Sequence, residues 1–201
     1  MIDYNITVLN ISDKELIELS DDIDKYTNLE NLYCVYNKLT SLDNLPPTLI
    51  QLGCSNNQIT SLDNLPQILE ILFCNNNRLT SLDNLPPNLK DLNCANNRLT
   101  SLDNLPPTLV YLECYNNNIT SLDNLPPKLE FLYCSGNQLT SLDNLPKTLF
   151  NLECYNNNIT SLDNLPTNLG VLFCNGNPLK YDFKPTLENI RNYNSSRMLD
   201  S

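Results

Sequence analysis

The sequence predicts a solenoid, with short strands stacked into one parallel sheet on a concave face. Extended or turn-rich return legs join the strands, and helix is confined to the ends. Three observations carry this expectation. A phrase of twenty residues repeats through most of the chain, apolar residues recur at fixed places in each copy, and prolines close each copy.

The first full copy is LENLYCVYNKLTSLDNLPPT, residues 29–48. It returns at Leu49, Leu69, Leu89, Leu109, Leu129 and Leu149, and an incomplete copy starts at Leu169. Numbered from its first leucine, each copy is apolar at positions 1, 4, 6, 11, 14 and 17. In the first these are Leu29, Leu32, Cys34, Leu39, Leu42 and Leu45. Positions 4 and 6 have the spacing of a strand. The expected strand runs over 31–35, with Leu32 and Cys34 on one face and Asn31, Tyr33 and Val35 on the other. Pro46 follows, joined in several copies by a second proline (Pro47, Pro87, Pro107, Pro127). Proline has no backbone donor and a fixed φ, so the return leg is neither helix nor central strand. Apolar burial within one coil does not offset the entropy of ordering its backbone. Coils must therefore stack, with neighbouring strands ~4.8 Å apart.

These copies read LxxLxCxxNx[LI], which resembles the LxxLxLxxNxL hallmark of the leucine-rich repeat family, with cysteine in place of the third leucine. The twenty-residue length and the LP return leg resemble the short bacterial-type subclass, and CxxNxLTSLDNLPxxL is similar to repeat proteins of giant amoebal viruses. The resemblance implies a curved solenoid that binds partners on its concave sheet.

The ends depart from the pattern. Residues 6–28 read as an atypical opening repeat, with Ile6, Leu9, Ile11 and Leu16 on positions 1, 4, 6 and 11. Its return leg, SDDIDKY, has Ser20 as a candidate N-cap and acids behind it, which suits a short helix. Residues 1–28 are thus expected to cap the array, residues 29–180 to form eight repeats with the last incomplete, and residues 181–201 to close the other end. There Pro185, Leu187, Ile190 and Tyr193 predict a short amphipathic helix, and a disordered tail is expected from Ser195.

Composition narrows the function. The chain has no histidine and no tryptophan, and its formal net charge is −11. Such a charge disfavours a phosphate backbone as partner and favours a basic surface. The N-terminus lacks the basic and long apolar segments of a secretory signal, and no stretch approaches the ~18 apolar residues of a membrane span. The expected compartment is cytoplasmic, the host cytoplasm if the producer is a virus or an intracellular bacterium. No base is available to activate a nucleophile, and no glycine-rich phosphate loop is present. The chain is therefore not expected to be an enzyme or to hold a cofactor. Glu113 and Glu153 share a column ~10 Å apart, but an open, wet sheet would not raise a carboxyl into general-acid range.

Stacking turns each repeat position into a ladder. The cysteines from Cys34 to Cys174 read as small buried core residues. Disulfides disagree with a reducing compartment, and metal binding needs closer convergence. The asparagines from Asn37 to Asn177 read as buried carboxamides satisfying the turning backbone of their own and the next coil. The aspartates from Asp43 to Asp163 read as turn caps; the alternative is cation binding, for which a single-file stripe supplies few oxygens. No metal site is expected.

Positions 3, 5 and 7 line the outer face of the sheet, and there the copies stop agreeing. Eight of the fifteen aromatics lie on this strip: Tyr33, Phe73, Tyr111, Tyr115, Phe131, Tyr133, Tyr155 and Phe173. Aromatics among polar neighbours read as binding anchors; the competing reading is cross-strand packing that stiffens the sheet. The densest cluster is expected around Tyr111, Tyr115, Phe131, Tyr133 and Tyr155, with Glu113 and Glu153 among them and Phe73 and Phe173 outlying. These nine residues are the candidate site for a protein partner with a basic and apolar surface. The reading that follows is a monomeric protein–protein interaction module, a viral or bacterial factor acting on host proteins. A self-associating virion or surface component and a substrate adaptor for a separate ubiquitin ligase are the alternatives.

Overall fold

A computed structural model describes residues 3–199. Nine strands form one sheet: β1 (Val8–Asn10), β2 (Asn31–Tyr33), β3 (Gln51–Gly53), β4 (Ile71–Phe73), β5 (Asp91–Asn93), β6 (Tyr111–Glu113), β7 (Phe131–Tyr133), β8 (Asn151–Glu153) and β9 (Val171–Phe173). Spatial order follows chain order, and every pair is parallel. Register is held by position 4, so that Leu9 faces Leu32, Leu32 faces Leu52, and the series continues to Leu152 and Leu172. The expected solenoid is therefore the fold, and the opening repeat enters it in register despite its extra length.

Each strand is shorter than the five residues expected. Backbone pairing persists beyond it, with Cys34 N–H donating to Gly53 O and Tyr36 N–H to Ser55 O. The regular strand ends because position 8 is left-handed in each full copy: Tyr36 has φ 54°, Asn56 57°, Asn116 54° and Gly136 64°. Asparagine and glycine tolerate that region best, which explains why they hold position 8 in every copy after the first.

The core is one continuous cluster. Leu112, Cys114 and Ile119 are fully buried, and Leu122 nearly so. The first proline of each return leg is buried too, whereas most position-17 leucines sit only partly inside. Position 9 completes the interior. Asn117 Nδ2 donates to Cys94 O and Cys114 O, both at 3.1 Å, and its Oδ1 accepts from Leu99 N–H at 3.0 Å. Each such asparagine thus serves its own coil and the preceding one, where the sequence reading had the following one.

A 3-10 turn over Ile23–Lys25 stands in the opening return leg. Ser20 serves it with its carbonyl, which accepts from Ile23 N–H, and with its hydroxyl, which accepts from Asp22 N–H. At the other end α1 covers Leu187–Leu199, past the point where the sequence suggests a disordered tail; Asp200 and Ser201 lie outside the described residues. Ile190 is fully buried against the last coil. Arg191 donates to Thr167 O and Leu169 O, and Asn194 to Leu162 O and Asp163 O. These side chains occupy carbonyls that a further coil would otherwise cover. Among the described residues no helix is long and apolar enough to cross a membrane.

Candidate partner-binding face

Side chains at positions 3, 5 and 7 leave the sheet on the side away from the leucine core, because strand side chains alternate between faces. In β6 and β7 this brings three rings together. The Tyr111 ring lies 5.6 Å from Phe131 and 5.3 Å from Tyr133, tilted in both cases. All three are half-buried rather than immersed in the core. Glu113 stands opposite Tyr133, and Tyr133 opposite Glu153, so two carboxylates bracket one ring along the position-5 column.

The surroundings of this patch are rich in acceptors. Asn93 Nδ2 donates to Glu113 Oε2 at 2.8 Å, and Asn151 Nδ2 to the Tyr133 hydroxyl at 3.2 Å. Asp91 and Asn151 stand at either end of the position-3 pair Tyr111–Phe131. An Oδ1 of each is buried and accepts no hydrogen bond from the protein. Burial raises the Asp91 carboxyl above its ordinary pKa, and the Glu113 charge adds to the rise. Glu153 is raised by the same two causes in the same order. Burial also raises the Tyr111 phenol, with Tyr133 and Glu113 beside its hydroxyl. None of the twelve lysines and arginines occupies position 3, 5 or 7 of any coil. The described ion pairs, among them Lys90 with Glu70 at 2.8 Å, all lie off the strip.

The remaining candidates do not join the ring trio. Tyr115 and Tyr155 stand two coils apart at position 7, with Ser135, which is 2% exposed, between them. No ring contact links either to Tyr111, Phe131 or Tyr133 among the described residues. Phe73 lies two strands before Glu113. Phe173 is 50% exposed at the far edge, beside Glu153 and Tyr155. The single expected cluster is thus a compact trio with outlying aromatics. At position 7 a small residue, Ser135, separates Tyr115 from Tyr155, so the tyrosines of that column are not neighbours along the sheet.

Two residues outside the nine candidates stand near them. Asp91, which the sequence places at position 3 of the outward face, stands in register with Tyr111 beside the ring trio. Phe150, at position 2 and so off the strip, is 51% exposed and leans over Gly170, where a Cβ would stand 2.4 Å from the ring. Its signal was the glycine one repeat later.

The other ladders are satisfied internally. All eight cysteines are free and buried. Desolvation pushes the Cys34 thiol up to about 12, so it stays protonated and unreactive at neutral pH. The aspartates act as turn acceptors: Ser121 donates to Asp123, and Asn84, Asn104 and Asn164 reach back one coil to Asp63, Asp83 and Asp143. Among the described residues no group of three or more Cys, Asp or Glu is arranged to hold a metal ion.

The ladders and the parallel register decide the relationship. A family model described as Leucine Rich repeats (2 copies) matches residues 107–147. The leucine-rich repeat domain of a Shigella effector is 30% identical over 87% of this chain and 77% of its own, with a TM-score of 0.69. The chain belongs to the leucine-rich repeat family. Its repeats are also similar to those of the functional domain of InlJ from Listeria monocytogenes, a structure that includes a cysteine ladder. That domain is 36% identical over 93% of this chain, with a TM-score of 0.79. YopM from Yersinia enterocolitica WA-314 is 34% identical over 82% of this chain, with a TM-score of 0.64. This leucine-rich repeat chain spans 42% of the length of each of those two structures. No curated protein sequence matches it.

Proposed function

We propose that this leucine-rich repeat chain is a non-enzymatic binding module that takes a protein partner onto its concave sheet. The observation that carries the reading is the half-buried trio of Tyr111, Phe131 and Tyr133, bordered by Glu113 and Glu153. Rings set on a rigid sheet lose little conformational freedom on binding, and such preorganised aromatics dominate protein interfaces. The acids supply a polar rim and a preference for a basic surface. Likeness to a Shigella effector domain and to YopM supports a role on host proteins, as a factor made by a bacterium.

Tyr111→Ala combined with Tyr133→Ala tests the reading. The double variant should keep its melting temperature within about 3 °C of wild type, because neither ring is part of the leucine core. It should lose the partners that wild type captures from host lysate. Unfolding of the double variant would make the rings structural and remove the site.

A further inference from the structure

We infer that the partner presents an arginine side chain to this face, with its guanidinium over the Tyr133 ring between Glu113 and Glu153. The inference rests on the binding role proposed above and adds the chemistry of the bound group. Two observations lead to it.

The first is the order of the position-5 column. Glu113 and Glu153 sit on the strands either side of Tyr133, so each carboxylate lies about one strand spacing, ~4.8 Å, from the ring's own strand. A planar cation stacked on a tyrosine face is attracted by the ring, and here it would have an anion on each side. The second is that the strip is unbalanced. It carries Asp91, Glu113 and Glu153, and it has no lysine or arginine of its own. Asp91 and Glu153 already hold their protons more tightly than usual, through burial first and the Glu113 charge second. An incoming cation would relieve that repulsion.

Geometry then chooses between the two basic side chains. Arginine carries five N–H donors in a fixed fork, whereas lysine carries three on a point charge. Burial of the surrounding rings also favours the more weakly hydrated guanidinium.

Selection of a displayed library of random linear peptides on the whole chain tests this. Enriched peptides should share an arginine beside an apolar residue. Replacing that arginine with citrulline, a neutral isostere, should weaken binding about tenfold or more, and replacing it with lysine by less. Glu113→Gln with Glu153→Gln should cause a comparable loss and flatten the salt dependence, with the melting temperature retained. Enriched peptides without arginine, or an arginine that citrulline replaces at no loss, would overturn the inference. If such neutral peptides still failed on the Tyr111→Ala, Tyr133→Ala variant, the concave binding site would stand and only its arginine preference would fall. Peptides indifferent to both variants, or no enrichment at all, would count against site and preference together.

Discussion

Each coil turns two corners, and the two are built from nearly the same residues. The first pairs a left-handed residue at position 8, usually asparagine, with an asparagine at position 9. The second pairs an aspartate at position 15 with a left-handed asparagine at position 16, where Asn44, Asn64 and Asn124 have φ of 59°, 61° and 63°. Their surroundings differ. Asn117 is 8% exposed and satisfies backbone groups of two coils. Asp123 lies in solvent and accepts a hydrogen bond from Ser121 within its own turn. Identity in every copy therefore has two causes: the first corner is held by the core, and the second by the local geometry of a solvated turn. A repeating residue reveals its role only when its burial is known.

Substitutions at the two corners separate these causes. Asn117→Ala should have the largest effect, a loss of about 3–5 kcal/mol in chemical denaturation. It orphans the carbonyls of Cys94 and Cys114 and the Leu99 N–H inside the protein. A loss under about 1 kcal/mol would show that water enters the corner and replaces the carboxamide. Tyr36→Asn sharpens the account of position 8. Tyr36 is 61% exposed and has φ 54°, a conformation other coils give to asparagine or glycine. Relief of that strain should add about 0.5–1 kcal/mol of stability. Asp123→Ala, at the second corner, should change stability by less than about 0.5 kcal/mol. A change as large as that at Asn117 would erase the distinction between the corners.

The smallest effect belongs to neither corner. Glu153 has a folded pKa raised above its unfolded value, so ionisation weakens the fold. The cost is absent below the unfolded pKa and complete above the folded one. Denaturation midpoints of Glu153→Gln should therefore fall less than those of wild type as pH rises through the carboxylate range. Equal slopes would mean that the strip is as well solvated as the second corner.

The same comparison explains what could be read in the sequence. The solenoid, its register and the buried asparagine ladder followed from spacing alone, because leucine, proline and asparagine at a twenty-residue period leave few ways to fill a core. Strand length did not follow. It depends on the left-handed backbone at position 8, and Tyr36 hides there a preference that Asn56, Asn76 and Asn96 display. The inner strip was located correctly as a face, yet its grouping was not legible. Whether Tyr115 meets Tyr133 is a matter of three-dimensional packing. The unpaired acceptors of Asp91 and Asn151 were invisible for the same reason, since hydrogen bonding between coils cannot be counted along one strand.

Every position-9 carboxamide reaches back by one coil, and every strand meets its neighbour at the same register. Whole twenty-residue units are consequently interchangeable. A gene that duplicated or dropped one unit in frame would encode a protein whose remaining joints still fit, with the outward strip lengthened or shortened by a single rung. The array can thus change its reach in discrete steps while each rung varies its own three strip residues.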